Sequence, residues 1–232
     1  MKPIQRTNHA EHSLYQITAP KRSIVKALPP VYIRKNTSHV YECVFRAFDI
    51  LFSLMLIAIL LFFLPFIFLA NLALDPGPLF YTQRRVGRNG HIFTMYKLRS
   101  MVVNAEAGGA RFTCTGDTRI TRVGSFLRKT RLDELPQAIN VLKGDMAIIG
   151  PRPERPEFVQ ILAQKDPSYD CRHLVRPGIT GWAQVKYKYT DNIEDGLIKL
   201  SYDLYYISHR SIKIDTQILA LTILLVAGQK GT

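Results

Sequence analysis

Cysteine is scarce here. The three residues, Cys43, Cys114 and Cys171, are odd in number, widely spaced and never in a CxxC pair. No Cys/His cluster has zinc spacing, so neither a disulfide framework nor a zinc finger organises the chain, and each thiol reads as packed or idle in a reducing compartment. Acidic residues are also short, 18 Asp and Glu against 31 Lys and Arg, for a net charge of +13. That excess points to an acidic partner such as anionic lipid, a nucleotide or a diphosphate, with plain solubility as the alternative. No recognised nucleic-acid motif accompanies the arginines, so nucleic acid is not expected as a partner. Internal repeats and low-complexity tracts are missing, and 232 residues suffice for one large domain or two small ones.

The apolar residues are unevenly spread. Ile50 to Leu74 carries no charge, and its polar residues are Ser53 and Asn71. At about 25 residues it is long enough to cross a bilayer core of roughly 30 Å. It starts too late for a signal peptide and lacks a small-residue cleavage site. Both flanks are basic: Arg34, Lys35 and Arg46 precede the run, and Arg84, Arg85, Arg88, Lys97 and Arg99 follow it. Orientation by charge is therefore frustrated. Pro65 inside the run removes a helix hydrogen bond. A re-entrant helix hairpin that enters and leaves on one face meets both observations, with Arg46 and Asp49 near the surface. A buried core helix is the plainer alternative.

Residues 1–38 show no period and hold Pro3, Pro20, Pro29 and Pro30, which predicts a flexible basic tail beside the membrane. Asp75-Pro76-Gly77-Pro78 ends the apolar run. The expected division is a tail over 1–38, a membrane helix over 39–75 and a catalytic domain over 76–232. Leu79 to Val86 and His91 to Leu98 flank an Asn-Gly turn and predict a β-hairpin. Alternation in its second arm puts Phe93, Met95, Lys97 and Arg99 on one side, so Lys97 and Arg99 are expected to face one anion, or else to lie on a solvated edge. Asn104 to Asp117 reads as mobile and Thr121 to Arg131 as a short basic helix or turn. Leu135 to Leu142 predicts a helix stopped at Gly144, Met146 to Ile149 a strand, and Glu157 to Gln164 a short helix. Ile193, Leu197, Leu200, Leu204 and Ile207 mark an amphipathic helix, whose Tyr202, Tyr205 and Tyr206 suit a membrane interface as well as a core. Ile214 to Val226 lies on or dips into the bilayer, or closes the core. The fold class is α+β, mainly helical, with a re-entrant membrane hairpin, a small antiparallel β-hairpin and amphipathic interfacial helices.

Three strings carry chemistry. Asp133-Glu134 lies beside Arg128, Lys129 and Arg131. With Pro136 in the first turn of a helix, Asp133 falls near an N-cap, where the helix terminus would keep it ionised and attract phosphate. An ionised Asp can attack phosphorus, and a neighbouring Glu can bind Mg²⁺. Ordinary helix capping explains the same pair. Gly150-Pro151-Arg152-Pro153 fixes one arginine between two prolines, a setting for bidentate phosphate binding or only a stiffened loop. In Arg176-Pro177-Gly178-Ile179-Thr180-Gly181-Trp182, the glycines, Thr180 and free amides suit a phosphate or a base, while Trp182, the only tryptophan, reads as packing.

In order along the chain these strings resemble the bacterial sugar transferase family, the monotopic phosphoglycosyl transferases. The resemblance rests on Tyr81-Thr82-Gln83-Arg84-Arg85-Val86-Gly87, Tyr96-Lys97-Leu98-Arg99-Ser100-Met101 and Arg119-Ile120-Thr121-Arg122-Val123-Gly124. It continues through Leu132-Asp133-Glu134-Leu135-Pro136-Gln137, Gly144-Asp145-Met146, Gly150-Pro151-Arg152-Pro153, Pro177 to Gln184 and Tyr202-Asp203-Leu204-Tyr205-Tyr206.

The resemblance implies transfer of a sugar 1-phosphate from a UDP-sugar to undecaprenyl phosphate, with Mg²⁺, at the cytoplasmic face of the bacterial inner membrane. It places the nucleophile on Asp133, the metal ligand on Glu134 and the phosphate-binding arginine on Arg152. Lys97, Arg99 and Arg128 match further basic positions, and Thr180 and Gly181 join the expected substrate-binding set. Anionic lipids are expected as partners, and a homodimer stays open. The family's membrane break is often Ser-Pro, where this chain has Leu64-Pro65. Long members carry extra membrane helices ahead of that break, and this chain resembles the compact form. Val185-Lys186-Tyr187-Lys188-Tyr189 replaces an Asn-Gly string, and Glu154-Arg155-Pro156-Glu157 resembles members that start exopolysaccharide or capsule with a hexose. A membrane-anchored basic scaffold, or a glycosyltransferase that moves sugar without phosphate, are the competing readings.

Overall fold

Ser38 opens the longest element by accepting a hydrogen bond from the Tyr41 amide, and helix α1 (His39–Leu74) runs from it. The computed structural model describes residues 38–109, 111, 113, 114, 116–187 and 192–228, so the tail expected over 1–38 lies outside the described residues except for Ser38. The break expected at Pro65 is not present: one α-helix passes through the proline. The reason is visible in its packing. Asp49, Ser53, Leu60, Ile67 and Asn71 are buried at spacings of 4, 7, 7 and 4, one stripe along one face, which holds the helix against the rest of the chain on both sides of Pro65.

Both ends of α1 are bonded to the same domain. Arg46 donates to the carbonyls of Val141 (2.7 Å) and Leu142 (2.8 Å), and Asp49 accepts from the Ile148 amide at 2.9 Å. At the far end Asn71 donates to the Gly77 carbonyl at 3.0 Å, and Asp75 accepts from the Val123 amide at 2.9 Å. The opposite face is different. Fourteen large apolar side chains of α1 are exposed, among them Leu61, Phe62, Phe66 and Leu69. It is the one helix among the described residues long and apolar enough to cross a membrane. A contiguous apolar face of that extent marks contact with a membrane or a partner.

The hairpin follows as expected. Strands β1 (Phe80–Val86) and β2 (Ile92–Leu98) pair antiparallel with Val86 opposite Ile92, and Asn89 (φ 55°) with Gly90 (φ 76°) turns the corner in the left-handed region. Thr121 caps α2 (Arg122–Thr130) by accepting from the Gly124 amide. A single 3-10 turn, Leu132–Glu134, then leads to α3 (Gln137–Lys143), which stops at Gly144 (φ 89°). Arg46 caps the C-terminal carbonyls of this helix, where a cation is favoured. Strand β3 (Ala147–Ile149), α4 (Pro156–Lys165), the 3-10 segment Pro167–Leu174 and strand β4 (Gly178–Thr180) follow. β3 and β4 pair in parallel, a pairing that no hydrophobic period announced.

Helices α5 (Trp182–Lys186), α6 (Ile193–His209) and α7 (Ile212–Ala227) complete the chain. The interfacial role open to α6 is corrected. Leu200, Ser201, Tyr202, Asp203, Leu204, Tyr206 and Ile207 are all buried, so this stretch of the helix is covered; Tyr202 and Tyr206 belong to the core, and half-buried Tyr205 stacks on Trp182. α7 closes that core through Ile218 and Asp215, which accepts from Tyr206 and from Tyr41 of α1, and leaves Ile212, Ile223, Leu224 and Val226 exposed. A smaller cluster of Leu60, Ile67, Leu98, Val123 and Leu127 lies under the second half of α1.

Candidate active site

Asp133 and Glu134 occupy the single 3-10 turn between α2 and α3, and both are buried. Arg131, just before it, sits at φ 61°, a conformation a side chain other than glycine adopts at a cost. This left-handed residue ends α2 and swings the chain so that two consecutive carboxylates turn inward. The N-cap expectation for Asp133 is therefore corrected: Pro136 precedes the first residue of α3 and gives no side-chain cap, and Asp133 lies a turn earlier. The expectation that a helix terminus would hold Asp133 ionised falls with it.

The two acids are treated oppositely. Arg152 grips Glu134 with both guanidinium nitrogens, Nη2 to Oε1 at 2.6 Å and Nη1 to Oε2 at 3.3 Å, and Lys97 Nζ stands 3.7 Å from Oε1. Although burial opposes ionisation, the charges of Arg152 and Lys97 hold the Glu134 carboxyl well below the usual carboxylate range. Asp133 has no such grip. Burial, then the neighbouring Glu134 charge, pushes its carboxyl up to about 6, against the opposing pull of Lys97, Arg128 and Arg152. Its Oδ1 is buried with no hydrogen-bond partner among the described residues. Burial lowers Lys97 to about 8, with Glu134 opposing the change. Arg128 closes the cluster, its Nε donating to Ser100 Oγ at 2.9 Å.

Arg152 is placed by its backbone. Arg172 donates to the Arg152 carbonyl at 2.8 Å, and Arg85 donates to the Pro153 carbonyl at 2.9 Å. Below, the Gly150 amide donates to the Thr180 carbonyl and the Gly178 amide to the Pro151 carbonyl, each at 2.9 Å. The β3 and β4 ends meet through glycine alone. A Cβ on Gly181 would lie 2.1 Å from the Gly150 carbonyl oxygen, and one on Gly178 would lie 2.1 Å from the Gly150 nitrogen.

A buried, unpartnered carboxylate thus stands beside a pinned one, ringed by Lys97, Arg128 and Arg152. The bacterial sugar transferase family matches residues 40–229. The chain belongs to that family. A UDP-N-acetylgalactosamine-undecaprenyl-phosphate N-acetylgalactosaminephosphotransferase of Aeromonas hydrophila is 46% identical over 190 residues, covering 80% of this chain and 44% of the relative. A UDP-glucose:undecaprenyl-phosphate glucose-1-phosphate transferase of Xanthomonas campestris pv. campestris is 47% identical over 159 residues, 67% of this chain and 33% of the relative. The exopolysaccharide production protein PSS of Rhizobium leguminosarum bv. phaseoli is 38% identical over 184 residues, 77% of this chain and 92% of the relative. The chain thus spans less than half the length of the first two.

Of the residues expected at the family's site, the structure brings Asp133, Glu134, Lys97, Arg128 and Arg152 together. It sends Arg99 elsewhere. That guanidinium donates to the carbonyls of Pro78 (2.6 Å), Asp75 and Met101 and to Asn71 Oδ1 (2.7 Å), latching the end of α1. Lys97 and Arg99 do not face one anion, because the strand ends at Leu98 and the chain turns away. Thr180 Oγ1 shares a hydrogen bond with Thr222 of α7 at 2.7 Å, and Gly181 packs on Gly150, so both support the Arg152 loop from beneath. Arg172, Asp203 and Arg85 were not singled out as site residues. Their only sign in the sequence is charge within matched or adjacent strings, since the contacts that matter join residues 20 to 68 positions apart.

No group of three or more His, Cys, Asp or Glu side chains that could hold a metal is present among the described residues. Two adjacent carboxylates, one with a free buried oxygen, nevertheless suit Mg²⁺, which is held by one or two carboxylates with water and substrate phosphates completing its shell.

Proposed function

We propose that this chain transfers a hexose 1-phosphate from a UDP-sugar to undecaprenyl phosphate, releasing UMP, by two displacements through an aspartyl-phosphosugar. In the first, an Asp133 carboxylate oxygen attacks the β-phosphorus, and the bond from that phosphorus to the bridging oxygen breaks, so UMP leaves with the electron pair. In the second, a phosphate oxygen of the polyprenyl phosphate attacks the same phosphorus. The acyl phosphate bond breaks, and Asp133 regains its charge. Lys97, Arg128 and Arg152 offset the phosphate charges in both steps. Glu134, with Asp133, would hold Mg²⁺, which supplies further neutralisation of the diphosphate. Family membership and the transfer reactions in the relatives' names support this reading, and the observation that carries it is the contrast between a pinned Glu134 and an unpartnered Asp133.

The membrane arrangement belongs to the same proposal. α1 is bonded to the catalytic domain at both ends and exposes its other face, so it lies along the inner membrane surface with the domain on the cytoplasmic side. A helix spanning the bilayer would leave one end beyond the domain's reach. Burying its exposed apolar side chains in lipid, at roughly 1.5 kcal/mol each, is worth on the order of 20 kcal/mol as an upper estimate.

The test is UMP release by the full chain in neutral detergent with undecaprenyl phosphate and Mg²⁺, across a panel of UDP-sugars. UMP from at least one sugar is expected. Release of UDP would indicate sugar transfer without phosphate, and no nucleotide from any sugar would leave a scaffold. A pH series adds a second check. Asp133 must be charged to attack, so kcat/KM falls as pH drops through about 6; Lys97 must be charged to bind phosphate, so it falls again as pH rises through about 8. In Lys97→Arg the alkaline limb is expected to vanish, and an unchanged limb assigns it to another group.

A further inference from the structure

A shallow cleft opens at the start of α1 and is lined by four arginines, Arg46, Arg88, Arg176 and Arg210, with Glu42 and Asp49. None of these belongs to the Asp133 cluster. Two of the four cations are committed: Arg210 pairs with Glu42 at 2.9 Å, and Arg46 caps the end of α3. Asp49 is turned to the Ile148 amide. Arg88, on the hairpin turn, and Arg176, on the segment leading into β4, make no side-chain hydrogen bond or ion pair with any described residue. Burial lowers the Arg176 pKa, and the like charges of Arg46 and Arg88 add to that, with Asp49 and Glu42 opposing. Arg176 is half-buried and Arg88 is exposed; neither guanidinium is paired directly with a carboxylate, and an anion between them would offset their mutual repulsion. Their planar forks match the oxygens of a phosphate.

The position of the cleft adds a second argument. Phe45 lines it, and the exposed apolar face of α1 becomes continuous from Ile50 and Leu51, just over one turn further on. The four arginines therefore border the apolar face that the proposed membrane arrangement turns to lipid, within reach of an anionic headgroup.

We propose that this cleft is a phosphate-binding site, separate from the transfer site, in which Arg88 and Arg176 hold the phosphate of a lipid headgroup; soluble phosphate shares that chemistry. The full chain in neutral detergent is titrated with short-chain phosphatidylglycerol and, separately, with inorganic phosphate at matched ionic strength, following the melting temperature. Three proteins are compared: the wild type, Arg88→Ala/Arg176→Gln, and Arg84→Gln/Lys165→Gln, which removes the same charge at other exposed positions. Phosphatidylglycerol is expected to stabilise the wild type and the charge control alike. The apparent affinity should fall at least tenfold in Arg88→Ala/Arg176→Gln. Stabilisation by inorganic phosphate, lost in the same variant, supports the site with a soluble ligand; stabilisation by lipid alone supports it with a headgroup. Equal affinity in all three proteins overturns it. Should Arg176→Gln fail to fold, Arg88→Ala alone, in an exposed turn, is expected to weaken binding at least threefold, and unchanged binding there overturns the proposal as well.

Discussion

Asp133→Asn is expected to abolish UMP release, by roughly 10⁴-fold or more, and at the same time to raise the melting temperature. The first effect follows from removing the attacking oxygen, and mass spectrometry of the digested enzyme after exposure to UDP-sugar should find the phosphosugar adduct on the Asp133 peptide of the wild type only. The second follows from burial. Asp133 is 6% exposed, lies against Glu134, and has its carboxyl raised from 3.8 to about 6. An acid whose folded pKa exceeds its unfolded one destabilises the fold when ionised. The penalty is complete above about pH 6, shrinks as pH falls through the window from 6 to 4, and vanishes below the unfolded pKa. Its ceiling is about 3 kcal/mol at neutral pH, a rise of several degrees for a chain of this size. The gap in stability between the Asp133→Asn variant and the wild type should therefore close on acidification. A variant that keeps turnover defeats the nucleophile assignment; one that loses turnover with no gain in stability defeats the account of Asp133 as a strained, unpaired charge.

The elements that were legible in the sequence are those with local causes. Asn89-Gly90 fixed the hairpin, Gly144 the end of α3, and the spacing from Ile193 to Ile207 the course of α6. Asp133, Glu134 and Arg152 were legible through the order of strings that resembles the family, since capping and a stiffened loop explain each string taken alone. What could not be read depended on partners remote in the chain. The buried stripe of α1 keeps Pro65 within a continuous helix, and nothing near Pro65 encodes that stripe's partners Leu98, Val123 and Leu127. Alternation predicted one anion for Lys97 and Arg99, but it ceases where β2 ends, and Asn71 and Pro78 claim the arginine. The tyrosines of α6 have one composition for a membrane interface and for a core, and partners elsewhere in the chain decide between them: Tyr202 meets Tyr187, Tyr205 stacks on Trp182, and Tyr206 donates to Asp215.

Asp203→Leu should destabilise the protein by about 3–5 kcal/mol, because it strands the Arg172 guanidinium inside the core. Arg172 and Asp203 are 2.8 Å apart, with side chains only 6% and 3% exposed. Arg172→Met is expected to cost a similar amount by stranding the carboxylate. The double variant Arg172→Met/Asp203→Leu removes both charges, fills their space with apolar atoms and should recover most of the loss, so its cost is far below the sum of the single variants. Activity should behave differently. Arg172 also donates to Tyr169 Oη at 2.7 Å and to the Arg152 carbonyl at 2.8 Å, and neither contact returns in the double variant. The loop that aims Arg152 at Glu134 then loses one of its two guanidinium anchors, leaving only Arg85 on the neighbouring carbonyl. The stabilised double variant is accordingly expected to turn over at least tenfold more slowly, with KM for the UDP-sugar raised. A restored fold with restored activity would make the ion pair a matter of stability alone. A restored fold with a slow enzyme shows that a charge pair buried far from Asp133 in the sequence sets where the phosphate is held.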